Sequence, residues 1–371
     1  MKKTQLFFLA ASAALLCLGG CGTKSNGIPA IPMDKAVGKI QPLSLSRIAA
    51  SVEYVPLETN DSSLVPSRRL CDIQAADDYF FLNCRRSLLE FSRKGKFIRQ
   101  IGRQGKGPGE FVALGSILAD GQRQALYMLN GSKVLVYSFD GTFKKEINLD
   151  TKEMPCQLSL FKGETLAVYV NNFSGQEANR LLLFDRDGHL LKQFPQYERF
   201  QMSGMQIFYN NRYIYPFQGN TYMKEDYNDT VFQVTADKLL PHYLLQLGKY
   251  QMPLGKLAGG DFLRPLVMET THYVFLPYTK WQATKDDKPG LCLYDKPSGK
   301  CFEVEGGRIK NDLEADGLPF KLTTTIDDNT LLGVWNAADI ADYVTEHPAL
   351  KARWGNISPE ANPVLMIVHL K

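Results

Sequence analysis

The chain has 371 residues, 44% of them hydrophobic and 22% charged, with a formal net charge of +4. That composition supplies a large core and is ordinary for a globular protein. The near balance of charge, with no basic stripe, zinc-finger spacing or RNP-like motif, excludes a nucleic-acid-binding footprint.

In chain order, Lys2 and Lys3 precede an apolar run, Leu6–Leu18, that is too short to span a bilayer. The run ends in Leu18-Gly19-Gly20-Cys21, which resembles a bacterial lipobox, where cleavage precedes a cysteine that is then acylated. The expectation is a signal peptide over 1–20, a lipidated Cys21, a flexible tether over 21–38 and one folded domain over 39–371. Several acyl chains on Cys21 would anchor the protein stably where one would not. The lack of an acidic run after Cys21 favours an outer-membrane anchor with the domain facing the periplasm.

Val52–Thr59 (VEYVPLET) reads as a strand with no hairpin partner nearby. A hairpin with one internal grammar then recurs at Leu88–Ile101, Val134–Ile147 and Leu181–Phe194, with turn glycines Gly95, Gly141 and Gly188 about 46–47 residues apart. This spacing suits four-stranded propeller blades. Six blades are expected: Leu70–Ile101, Leu114–Leu149, Leu158–Phe194, Met205–Leu247, Val267–Val304, and Phe320 to the end. The last strand, Asn362–Lys371, also lacks a following partner, so the N-terminal strand is expected to complete the last blade and close the ring. The fold class is all-β, a six-bladed β-propeller of four-stranded antiparallel blades.

Five cysteines follow Cys21. A tight turn at Asp77-Asp78 would set Cys71 opposite Cys84, and a turn centred on Lys296-Pro297 would set Cys292 opposite Cys301. Facing cysteines on antiparallel strands can form disulfides in an exported protein. The alternative is that all five, Cys156 included, are small buried hydrophobes.

Between the first two blades lies Ile101-Gly102-Arg103-Gln104-Gly105-Lys106-Gly107-Pro108-Gly109-Glu110-Phe111, which looks like the glycine-rich link of NHL-type propeller repeats. Together with VEYVPLET, Asn228-Asp229-Thr230-Val231-Phe232 and Asn362-Pro363-Val364-Leu365, it makes the chain resemble the Bacteroidetes six-bladed β-propeller lipoproteins, of the NHL/TolB-like kind. The resemblance implies a fold and an envelope location and supplies no catalytic residues. Asp229-Thr230-Val231 also resembles the O-glycosylation pattern of that phylum, though it reads better as the start of a strand.

The glycine-rich link could cradle an anion beside Arg103 and Lys106, or could simply supply positive φ for a sharp turn. No Lys-Ser/Thr follows it and no helix begins there, so it is not a nucleotide P-loop. The five histidines lack ligand spacing, and no G-x-S-x-G or H-E-x-x-H motif occurs. No catalytic residue, metal or cofactor is therefore assigned, and the reading leans against an enzyme while leaving one open.

In a propeller the inter-blade links share one face with the loops between second and third strands. Long insertions are expected on that face at Asn171–Asn179, Pro216–Asp229, Pro277–Gly290 and Asn336–Pro363. Arg103, Gln104, Lys106, Tyr222, Tyr278, Trp281 and Trp354 are the candidate binding residues there. Exposed, the aromatics would stack on sugars or peptide side chains; buried, they would pack the insertions down. Within the last insertion Ala338–Lys351 reads as a helix packing on one blade. The functional expectation is an envelope binding or scaffold protein holding a protein, peptide or glycan partner. The alternative is a propeller enzyme (a lyase, lactonase or glycan-active enzyme) with an axial site.

Overall fold

The computed structural model describes residues 27–66, 70–202, 212–255, 261–281, 283–284, 286–315 and 317–371. Six antiparallel sheets, each built on four strands, follow one another around a ring as the blades of a propeller. The expected signal peptide and Cys21 lie outside the described residues.

The recurrent hairpins are the outer halves of blades one to three. Their glycines serve two purposes at once. Gly95, Gly141 and Gly188 have φ of 80°, 84° and 93°. Each also packs against the outer strand of the preceding blade or the residues leaving it. A Cβ on Gly95 would lie 2.2 Å from the Pro56 carbonyl, one on Gly188 2.3 Å from the Asn148 carbonyl, and one on Gly141 3.1 Å from the Arg99 side chain. The repeat in the sequence is thus the repeat of blade-to-blade docking.

The middle strands of a blade bury both faces because each blade sits between two others. In Lys133–Ser138, Val134 and Val136 pack with Val168 and Phe184 of blade three. Leu135 and Tyr137 pack with Phe81 and Leu88 of blade one. Continuous apolar strands are the consequence.

Ring closure follows the expected scheme. Blade six comprises Leu322–Asp327, Thr330–Trp335, Val364–Leu370 and, outermost, Ala49–Pro56 from the N-terminal region. Val364 lies opposite Pro56 and His369 opposite Ser51. Asn362, buried just before the third strand, donates to the Glu58 and Ser63 carbonyls and accepts from the Val65 amide at 2.8 Å.

Part of the flexible tether expected over 21–38 is held in the fold. Ala30–Ile31 adds a parallel strand outside Leu239–Leu245 of blade four. Met33 and Ala36 are buried in a short helix beside it, and Ile40–Gln41 pairs in parallel with Lys300–Val304 of blade five. Apolar side chains in the segment cover edge strands that would otherwise stand open.

Cys84, Cys292 and Cys301 are free thiols, contrary to the two expected disulfides. The first hairpin has the predicted register, with Ala76 opposite Tyr79 and Asp72 opposite Asn83. The ladder ends there. Cys84 turns its thiol toward the Leu82 carbonyl and into an apolar cluster, whereas Cys71 lines the axial cavity. In the second hairpin Tyr294 faces Cys301 and Cys292 faces Glu303, so the turn is centred one residue later than predicted. Cys292 and Cys301 are therefore diagonal neighbours rather than opposed ones.

Candidate functional site

The face that gathers the links opens into a cavity of about 540 Å³ at the propeller axis. Its wall is made by the leading ends of the inner strands of all six blades, with loop residues such as Arg85, Phe173 and Asn336 above them. This volume is within the range of small-molecule sites.

An ion pair crosses the axis there. Arg212, entering the inner strand of blade four, reaches Asp72 at 3.3 Å and the Ile73 carbonyl at 3.4 Å, both on blade one across the ring. It also donates to the Thr325 carbonyl of blade six at 3.4 Å. Asp72 is the single carboxylate lining the cavity among the described residues, against Arg85, Arg212 and Lys321. Arg85 has a left-handed backbone, φ 63°. A non-glycine residue held there is strained, and such strain gathers at binding sites. Burial pushes the Cys71 thiol up and the Cys156 thiol up to about 11, so both line the cavity as neutral groups.

The predicted binding residues are not brought together as one surface. Trp281, Trp354, Tyr222 and Tyr278 are all buried. Trp281 donates to the Leu263 carbonyl at 3.1 Å and packs on Tyr227. Trp354 meets Tyr54 edge-on at 5.0 Å, and Trp335 donates to the Pro319 carbonyl. The last insertion does fold as helix, Ala337–Glu346 and Lys351–Trp354, and it buries Ile340, Val344 and Leu350 in the core of blades five and six. Tyr222 is not in an insertion at all. Pro216–Asp229 contains a tight hairpin between Ile214–Phe217 and Asn220–Lys224, so Tyr222 stacks on Tyr215 inside blade four. Tyr278 lies in a strand and donates to Glu303 at 2.6 Å. Thr230 begins a strand, Thr230–Val234.

Arg103, Gln104 and Lys106 are exposed, but the anion that their link cradles belongs to the chain itself. Glu110 accepts from the Gly107 amide at 2.8 Å and from Arg103 at 2.5 Å. The Gly107 and Arg103 hydrogen bonds hold its carboxyl below the usual range. A Cβ on Gly105 would come within 2.0 Å of that carboxylate, which is why the position is glycine.

What sequence reasoning missed is an apolar rim. Eight large hydrophobic side chains are exposed among the described residues, and six of them lie one to each inter-blade link: Leu64, Val112, Met154, Tyr197, Leu254 and Leu313. Single exposed hydrophobes need no explanation, but one per link on one face forms a pattern. The signal was an apolar residue in each predicted link, legible once the blades are aligned.

A second polar centre lies buried beside the cavity wall. Arg180 of blade three bonds Gln196 at 2.6 Å, pairs with Glu198, and meets Glu225 of blade four at 3.2 Å. Burial pushes the Glu225 carboxyl up to about 7 although Arg180 opposes it. A third surrounds Glu269, which receives Lys296 at 2.7 Å, His242 at 3.0 Å and Tyr215 at 3.0 Å. Burial would raise its carboxyl, but hydrogen bonds from His242 and Lys296 hold it below the ordinary value. Both groups are engaged by partners from neighbouring blades, Arg180 of blade three with Glu225 of blade four and Tyr215 and His242 of blade four with Glu269 of blade five, and so fasten blades to one another.

A family model described as a domain of unknown function, DUF4934, matches residues 28–369. Among solved structures the chain is similar to a candidate exported protein of Bacteroides fragilis, with 17% identity over 90% of this chain and 98% of that one and a TM-score of 0.70. It is also similar to a protein of unknown function from Bacteroides caccae, with 12% identity, 63% of this chain and 81% of that one covered, and a TM-score of 0.40. Virginiamycin B lyase from Staphylococcus aureus matches at 8% identity over 86% of this chain and 99% of that one, with a TM-score of 0.45. At these identities the likeness is one of fold. No curated protein matches the chain.

Proposed function

The chain belongs to the DUF4934 family, and from that footing we propose that it is a lipid-anchored binding protein of the bacterial cell envelope whose partner is held at the axial mouth of the long-loop face. The observation that carries this reading is the cavity itself: every blade contributes to its wall, and the surplus of its ionisable lining is cationic. The apolar residue in each link favours an apolar partner, a protein or peptide surface or a small ligand, over a glycan. The tryptophans that would stack on sugar rings are spent inside the fold.

The N-terminal pattern supports export and acylation at Cys21, and the glycine-rich link supports kinship with NHL-type propeller lipoproteins. Nine Cα–Cα steps separate Cys21 from Ala30, which is fixed to blade four. Fully extended they span at most ~30 Å, so the anchor would keep that blade close to the bilayer.

Ala113 is exposed and lines the mouth, so Ala113→Trp obstructs it without disturbing a buried contact. The protein would be purified from its own envelope after crosslinking, with and without this substitution. A partner or ligand found with the unaltered protein and reduced at least about tenfold by Ala113→Trp supports the reading. Equal recovery from both places the partner elsewhere. Trp281→Ala and Tyr222→Ala are unsuitable probes, since both residues are core.

A further inference from the structure

We propose that the axial cavity receives an amphipathic carboxylate: an apolar chain ending in a carboxylate group, of which medium-chain fatty acids are the simplest form. The inference rests on the reading of the cavity as the ligand site and names the chemistry it would take.

Three observations converge. First, the charge is one-sided. Arg85, Arg212 and Lys321 line the cavity, and Asp72, the single carboxylate among the described lining residues, is already paired with Arg212. Lys321 is exposed and has no ion-pair partner among the described residues. An anionic group on the ligand therefore meets Lys321 without displacing an ion pair of the described residues.

Second, the neutral polar groups of the wall are engaged within the propeller. Gln157 accepts from the Tyr213 amide at 2.7 Å and donates to the Ile214 carbonyl at 2.9 Å. Asn171 donates to the Tyr213 hydroxyl at 2.8 Å. Ser116 accepts from the Leu158 amide at 3.2 Å, and Thr323 from the Val334 amide at 3.1 Å. A ligand body rich in hydroxyls or amides would find few partners and would lose its own hydration.

Third, the remaining wall is apolar. Leu70, Leu114, Phe173, Leu266 and Val334 line it, and Met154, the exposed residue of its link, stands at the rim. The neutral thiols of Cys71 and Cys156 add to this surface. An alkyl chain entering here releases water from both partners, which is the main driving force available. Arg85 is held in a left-handed backbone at the mouth, where a strained cation is consistent with recognition of the head group.

The test is isothermal titration of residues 22–371, which hold the whole described fold and lack both the apolar run 6–18 and the acylation site, so that no detergent is needed. Decanoate, decanol, acetate and an apolar peptide with a free C-terminal carboxylate are compared. Decanoate is expected to bind with one equivalent per chain, at least about tenfold more tightly than decanol, while acetate gives no measurable heat. Lys321→Gln should weaken decanoate by about three- to tenfold and leave decanol unchanged. Ala113→Trp should abolish both.

Equal binding of decanoate and decanol would overturn recognition of the carboxylate. Binding of decanoate that survives Ala113→Trp would overturn the cavity as its site. Binding of the peptide but not of decanoate would overturn the amphiphile and leave the axial binding site standing. Failure of every probe also overturns the ligand class, and the envelope purification then decides the site independently.

Discussion

Arg180→Ala is expected to destabilise the protein by about 3–5 kcal/mol at pH 8, measured by equilibrium urea unfolding. Arg180 is 2% exposed and Glu225 4% exposed. The guanidinium is the shared partner of Glu225, Glu198 and Gln196, and it lies 5.4 Å from the ring centroid of Tyr197 and 5.8 Å from that of Phe232. Deleting it removes the contact with those two rings and leaves a buried carboxylate without its cation. That desolvation cost exceeds what the intact pair contributes. Because Glu225 comes from blade four and Arg180 from blade three, the loss falls on a blade junction.

The cost should depend on pH in a defined direction. Burial already sets the Glu225 carboxyl at about 7 with Arg180 present. Without the cation it rises further, and the folded variant keeps the proton below that point. The penalty at pH 5 should therefore be smaller than at pH 8. Arg180→Met/Glu225→Gln, which removes both charges while keeping the volume, should recover part of the stability lost by Arg180→Met alone. A single-variant loss below about 1 kcal/mol at pH 8 would show that water or another group replaces the guanidinium.

The parts of this molecule that were legible in its sequence are those that repeat. Gly95, Gly141 and Gly188 mark a local geometry used three times, and a period survives errors of a residue or two in any strand. The orphan strand at 52–59 could be assigned to blade six because an unpaired edge at each end of a closed ring has only one solution. The cysteines show the limit of such reasoning. The 71–84 hairpin was placed in correct register, yet the ladder stops at Asn83 and Cys84 turns away. The 292–301 hairpin fails because its turn lies one residue further along. A side-chain pairing needs the register and the end of the ladder, and composition specifies neither.

The site was less legible still, for a reason specific to propellers. Its wall takes one or a few residues from each blade, so Asp72 and Arg212, in hydrogen-bond contact, are 140 residues apart in sequence. Aromatic residues drew attention because they are large, but size also makes them the best material for packing insertions onto the ring. Trp335, Trp354 and Trp281 went there. The exposed hydrophobes that do occupy the face are modest residues such as Val112 and Leu254, and no composition rule singles them out.

Glu90→Gln is expected to stabilise the protein by about 2 kcal/mol at pH 8 and to have almost no effect at pH 5. Glu90 is fully buried in Leu88–Ser92 of blade one, and neither carboxylate oxygen has a hydrogen-bond partner; its nearest cation is Arg99 at 3.1 Å. Burial pushes its carboxyl up to about 7, with Arg99 pulling the other way. In the unfolded chain the group titrates near 4.5. The folded state thus holds the proton more tightly, and the stability this contributes is complete below about pH 4.5. It is lost as pH rises through 7, where the folded state must carry a buried charge. Glutamine keeps the shape and never ionises, so the variant escapes that loss. Subtracting wild-type from variant stability across pH 5–8 cancels the other titrating groups, Glu225 among them, provided they are not coupled to this site. A difference that rises with pH toward about 2 kcal/mol identifies Glu90 as a protonated buried acid at low pH. A difference that is flat, or that turns destabilising at pH 8, would mean that the pair with Arg99 is ionised throughout and contributes net stability.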